Sequence, residues 1–401
     1  MMMKTRADAA TLLTMLLGVF LAACTGAEEE PAAPGEQQDK EEEIDWMSIA
    51  DRSQESLLRE YWSDQHYFTQ NNGEHIGFNY WWNAHALDVW VDAYLRTGDV
   101  EYTELMDQLL AGCRRKNGDT MWNTFYDDME WMALACLRAY DATGEEKYKT
   151  LSRMLWDEIK VGWSDINHGG IAWASGSPGS KNACSNAPAV ILAARLYQED
   201  RRQEDLDWAL KIYQWQKKYL VDPARGVVWD GYGNFNENNI YTYNQGTYLG
   251  ASLELFEILG EESYMREAIR TANYVVHDRD RFSPEGILRG ENSGDGGLFK
   301  GIFIRYLTQL ALAPALDGMT RASYLHYLDD NARSLWTTAT LKPDILFGHT
   351  WRGVPDGKTI DCSIHLSAVM MLEARYAVDG LMGEETSSSP AFNSISQTQK
   401  R

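Results

Sequence analysis

Two kinds of helical pattern alternate along this chain, and the alternation limits its fold more than any other feature. From Ile44 onward the periodicity is helical almost throughout, with scarcely any sustained alternation of period two. One kind is amphipathic. Tyr102, Leu105, Met106, Leu109, Leu110 and Cys113 fall on one stripe, as do Tyr148, Leu151, Leu155 and Ile159, with charged residues opposite, so each such helix keeps one face in water. The other kind, at 81–95, 129–140, 187–197, 248–259, 298–312 and 364–376, is apolar nearly all round and must be buried on most sides. The links alternate too. Short turns such as Thr97-Gly98-Asp99, Thr143-Gly144-Glu145 and Gly260-Glu261-Glu262 follow the apolar helices. Long stretches rich in Gly, Asn and aromatics (67–80, 116–126, 161–186, 222–243, 280–297 and 340–362) follow the amphipathic ones. A two-helix unit thus recurs about six times at roughly 45 to 65 residues. The expected fold is all-α: an (α/α)6 toroid, or six-hairpin barrel, formed as a single domain over residues 44–383.

In such an up-and-down ring all the short turns share one end and all the long loops the other. Loops too long for mere connection carry function. Each long loop leads into the N-terminus of an apolar helix, so the site is expected where those six N-termini meet. Tyr126-Asp127-Asp128-Met129-Glu130-Trp131 lies there. Asp127 with Glu130 three residues on fits a helix-capping pair, favoured by the helix dipole. A charged pair on a buried helix facing a cavity must otherwise work or be neutralised. Adjacent helical residues point about 100° apart, which still allows the roughly 5 Å carboxyl separation of a retaining glycosidase. That chemistry needs one acid ionised and its neighbour protonated, the latter partly desolvated among Trp122, Phe125, Tyr126 and Trp131.

Composition narrows the partners. Net charge is −22, from 59 acids against 37 bases, which disfavours nucleic acid and acidic polymers. The 15 Trp and 21 Tyr suit stacking on pyranose rings, although many must be core. Lys4 and Arg6, an apolar segment to Ala23, and Leu21-Ala22-Ala23-Cys24 read as a lipoprotein signal peptide over 1–23. Cys24 is then the lipidated first residue of the mature chain, anchored by its acyl chains. Residues 24–43 read as an acidic disordered tether and 384–401 as a disordered tail. Glu28, Glu29 and Glu30 resemble a surface-export signal of Bacteroidetes, so the expected location is the outer membrane, at the cell surface or facing the periplasm. Cys113, Cys136, Cys184 and Cys362 have no zinc-like spacing and read as buried thiols, with a pairing in space left open.

Tyr126-Asp127-Asp128-Met129-Glu130-Trp131 resembles the Asp-Asp signature of glycoside hydrolase family 76, the endo-acting α-1,6-mannanases. Trp81-Trp82-Asn83-Ala84-His85, Lys181-Asn182-Ala183-Cys184-Ser185-Asn186-Ala187-Pro188, Tyr243-Asn244-Gln245-Gly246 and Phe299-Lys300-Gly301-Ile302-Phe303-Ile304-Arg305 resemble that family's pattern as well. The likeness covers the chain from about Trp46 to Gly380. It implies an (α/α)6 fold and retaining hydrolysis of the α-1,6-mannan backbone of fungal walls, with Asp127 as nucleophile and Asp128 as general acid/base. Alternatives are a non-catalytic surface glycan-binding lipoprotein and a transglycosylase using the same acids.

Further substrate contacts are expected from Trp82, Asn123, Tyr126, Asn186, Tyr243, Asn244, Gln245 and Lys300. Asn186 reads either as a helix cap or as a ligand for a sugar hydroxyl. Asn244 and Gln245, at a loop-to-helix junction, suit hydroxyl recognition. Lys300, in an apolar helix start, needs a carboxylate or a sugar. Trp82, Trp173, Trp229 and Trp351 are candidate stacking platforms. His85 and Asp88 read as a satisfied core pair, not a metal site. Gly294-Asp295-Gly296-Gly297 is neither a dinucleotide loop nor a P-loop. No calcium loop and no Gly-x-Ser-x-Gly elbow occur. No metal or cofactor is expected, and a monomer suffices.

Overall fold

A ring forms because half the helices have no face to give to water. The computed structural model describes residues 44–382; the signal segment, Cys24, the tether and the tail from 384 lie outside them. The inner helices are α2 (Tyr80–Thr97), α4 (Tyr126–Thr143), α6 (Ala187–Asp200), α8 (Thr242–Leu259), α10 (Gly296–Leu312) and α12 (Cys362–Ala377). Each packs on the next, and α12 closes the circle on α2. Outside them run α1 (Trp46–Tyr61), α3 (Glu101–Lys116), α5 (Glu146–Ile159), α7 (Gln203–Tyr219), α9 (Glu262–His277) and α11 (Gly318–Thr338). On α5 only Tyr148, Ser152, Leu155, Trp156 and Ile159 are buried, the inward stripe of an amphipathic helix. The architecture is the (α/α)6 barrel.

Two devices set the ring's dimensions. Gly246 on α8 and Gly301 on α10 let backbones touch: an added Cβ would meet the Cα of Phe303 at 2.6 Å and that of Ser367 at 2.7 Å, respectively. Close approach accounts for glycine inside helices, where it otherwise costs about 1 kcal/mol against alanine. At the turn end α2 and α4 stop at Gly98 and Gly144, left-handed at φ 68° and 73°. Their N–H groups donate to the carbonyls of Tyr94 and Tyr140.

At the loop end, amides bind the long loops to the helices they precede. Asn186 Oδ1 accepts from Ile171 N at 2.9 Å while its Nδ2 donates to Ile171 O at 3.0 Å. Gln245 does the same to Val228, at 2.8 Å both ways, and Asn83 to Phe68. Each amide imitates a neighbouring strand and satisfies loop backbone far from water. This explains why α8 starts at Thr242, six residues before the all-apolar run; its polar first turn is buried because it holds the loop. Within the last long loop, β1 (Thr340–Leu341) pairs antiparallel with β2 (Leu346–Phe347). All four cysteines in the described residues are free and buried. No described helix is long and apolar enough to cross a membrane.

Candidate active site

The loop end of the inner ring opens into a cavity of about 760 Å³. Asp127 and Asp128 sit in the first turn of α4 and line it, with Trp131 one turn deeper and Trp173, from the 163–182 loop, beside them. Asp127 Oδ1 accepts the Asp128 backbone N–H at 3.1 Å, and its Oδ2 accepts the Trp173 indole N–H at 3.2 Å. Asp128 Oδ2 accepts from Asn123 Nδ2 at 2.9 Å, and Asn123 is braced by the Phe125 N–H.

The two acids are held in different states. Burial raises Asp127 to about 6, against the pull of hydrogen bonds from Cys184, the Asp128 backbone and Trp173. Asp128 is pushed well above the carboxylate range by burial, then by the charges of Asp127 and Asp295, with only Asn123 opposing. Asp127, which accepts the Trp173 indole and the Asp128 backbone N–H, is the better-stabilised anion, and Asp128, beside that charge, is the acid favoured to keep a proton. Glu130 is not a capping partner. It is fully buried, and burial followed by the charge of Asp127 pushes its pKa well up against the Ala189 backbone N–H, which favours its neutral form behind the pair.

Of the other expected contacts, Asn123 and Tyr243 line the cavity. Tyr243 stacks on Phe299 at 3.9 Å between centroids, 9° from parallel. Asn186 and Gln245 do not; their amides are consumed by the loop backbone, and Asn186 stands at the N-cap position of α6 without a side-chain capping bond. Asn244 stands one layer back, its Nδ2 on Asp230 Oδ1 at 3.1 Å. Tyr126 is buried against the backbone of Gly162, about a third of a turn away from Asp127. Lys300 has no carboxylate partner: its Nζ donates to the His349 carbonyl at 2.7 Å and lies 4.0 Å from the Trp351 ring centroid. Burial drives its pKa well down.

Among the candidate platforms only Trp173 lines the cavity; Trp82 and Trp351 are buried, and Trp229 packs edge-on against Phe235. Trp122, expected to wall the acids, is exposed on a groove outside. His85 does not satisfy Asp88: its Nε2 has no partner, and Asp88 is held by Arg138 and Arg305.

Sequence reasoning missed Asp230, Glu291 and Asp295, all of which line the cavity. Asp295 immediately precedes α10, and its Oδ1 accepts both the Trp81 and Trp82 indoles, at 3.1 and 3.0 Å. Their shared signal is placement in the long loops: Glu291 and Asp295 lie just before α10, and Asp230 lies midway along the loop between α7 and α8. Among the described residues no group of three acids, histidines or cysteines is arranged to hold a metal ion.

A barrel of paired helices whose loop end holds one ionised and one protonated acid among aromatic rings is the site of a glycoside hydrolase. Residues 45–380 match the model of glycosyl hydrolase family 76, and the chain belongs to that family. It is 26% identical to a mannan endo-1,6-alpha-mannosidase of Candida glabrata, over 72% of this chain and 71% of that one. The GH76A alpha-1,6-mannanase structure from Salegentibacter is 45% identical, with a TM-score of 0.80, covering 83% of this chain and 99% of its own. An inactive variant of that enzyme, with two consecutive aspartates changed to asparagine, has been solved with α-1,6-mannotriose (44% identity, TM-score 0.80, with the same coverage).

Proposed function

We propose that this enzyme is an endo-acting, retaining α-1,6-mannanase that cleaves mannan backbones through a covalent mannosyl-enzyme on Asp127, with Asp128 as general acid/base. The observation that carries the reading is an adjacent acid pair in a glycan-sized cavity, one carboxylate accepting from the Trp173 indole and the Asp128 backbone, the other from Asn123 alone. Asp127 is the anion and can attack the anomeric carbon; Asp128 holds the proton that the departing glycosidic oxygen needs. After cleavage Asp128 is ionised and can take a proton from the water that releases the sugar. The chain has a second consecutive pair, Asp329-Asp330, but Asp329 is bound by Arg333 and Arg375 and neither residue lines the cavity. That leaves Asp127 and Asp128 as the pair we match to the two aspartates changed in the inactive Salegentibacter variant. Tyr243 stacked on Phe299, with Trp81 and Trp173, supplies flat faces for the mannose rings.

The test is to follow product lengths from unbranched α-1,6-mannan and from a β-mannan, with the anomer first released read by NMR. A ladder of short oligosaccharides of retained α configuration from the first substrate alone supports the proposal. An initial β product overturns retention. Tight binding without new reducing ends points to the glycan-binding alternative, and products longer than the substrate point to transglycosylation. We also propose that Cys24 is lipidated and holds the enzyme at the outer membrane. Labelling with a fatty-acid probe, lost in Cys24→Ala, tests this.

A further inference from the structure

The cavity's charge has one sign. Asp127, Asp128, Asp230, Glu291 and Asp295 line it, and among the described residues no lysine, arginine or histidine does. The nearby buried lysines are spent elsewhere: Lys181 Nζ donates to Ser164 Oγ and to the Gly170 carbonyl, and Lys300 to the His349 carbonyl. Glu291 is the one non-catalytic acid with a cation, Arg289 at 3.0 Å, and it also accepts from Thr242. Asp230 and Asp295 differ from it. Asp230 is held by the side-chain amides of Asn244 and Asn234, and Asp295 by two indole N–H groups. Both are fixed in place by neutral donors, which orient a carboxylate without cancelling its charge.

We infer that the cavity is a charge filter, in which Asp230 and Asp295 make the enzyme select uncharged glycan segments and reject those bearing phosphate or carboxylate groups. The inference rests on the cavity being the glycan site proposed above. A neutral hydroxyl donates to a carboxylate and exchanges one hydrogen bond for another. An anionic substituent loses its water, meets like charge and finds no basic donor. A cleft lined by one sign between low-dielectric walls amplifies that difference, on the order of ten- to a thousandfold in local ligand concentration.

The test uses α-1,6-mannotriose and three derivatives altered only at the terminal 6-position, a methyl ether, a phosphate and an amine, as inhibitors of mannan cleavage. At low ionic strength the phosphate is expected to bind at least about tenfold more weakly than the methyl ether, and the amine more tightly than either. High salt should narrow the gap between phosphate and ether, as should Asp295→Asn. Equal binding of phosphate and ether, or a gap that salt leaves unchanged, overturns the filter. If the unmodified trisaccharide fails to bind, the α-1,6-mannan reading falls and this inference with it; a charge-blind series with that trisaccharide bound overturns this inference alone.

Discussion

Asp127 and Asp88 are both aspartates on inner helices, the first half-buried in the cavity wall and the second buried, yet Asp127 is pushed up to about 6 and Asp88 is held down at about 2. The difference lies in what the ring places at its two ends. Burial pushes both groups up. From the middle of the barrel toward the turn end, Arg138 and Arg305 overcome it: both bind Asp88, and they reach Asp92 at 2.6 and 2.8 Å. Arg195 with Glu254 and Arg96 with Glu373 complete a set of arginine pairs at that end. At the loop end no guanidinium among the described residues binds Asp127, Asp128 or Glu130, and only hydrogen bonds from uncharged donors oppose burial. Reactivity here is the absence of a counter-ion, arranged by position along the same six helices.

The largest effect should come from removing the unanswered charge. Asp127→Asn is expected to lose activity on the order of a thousandfold or more. It should also stabilise the fold at alkaline pH. The folded Asp127 carboxyl sits at about 6, above the roughly 4 of an unfolded aspartate. Its contribution is thus full below the unfolded value and is lost as pH rises through 6. Asparagine escapes that cost, so the variant should be more stable than wild type by on the order of 1–3 kcal/mol at pH 8 and equal to it near pH 4. Thermal melts at both pH values check this; an unchanged melting temperature at pH 8 would break the comparison.

At the opposite end the expected sign reverses. Arg138→Met leaves Asp88 and Asp92 buried with half their counter-charge and should cost about 3–5 kcal/mol in urea unfolding. Turnover per folded molecule should stay within about twofold, since Arg138 does not line the cavity. A smaller loss, about 1–3 kcal/mol, is expected for Asn186→Ala, which strands the Ile171 backbone. The smallest effect sharpens the comparison: Trp173→Phe removes one donor from Asp127. The acid limb of activity should move to higher pH by roughly half to one unit.

The ring was legible because all-round apolar helices and alternating link lengths are local properties, and the acid pair because two carboxylates in a buried first turn have few explanations. Which way a side chain points was not legible. Tyr126 is the residue before Asp127 and faces Gly162 instead of the cavity, since one helical step turns it by about 100°. Asn186, Gln245 and Lys300 were read as ligands because the backbone partners that satisfy them belong to loops whose path the sequence does not show. Asp295 was passed over in a glycine-rich stretch; the indoles that hold it come from α2, at the other end of the chain. The arginine pairs escaped notice for the same reason: Arg305 and the Asp88 it binds lie on helices far apart in sequence that become neighbours only when the ring closes.

Burial without a counter-ion at Asp127 should show in the pH dependence of kcat/KM for α-1,6-mannan cleavage. That quantity reports the ionisations of the free enzyme. An acid limb near pH 6 is the predicted result. A limb near pH 4, where an ordinary aspartate titrates, would show that Asp127 is solvated or paired after all, and would contradict the account.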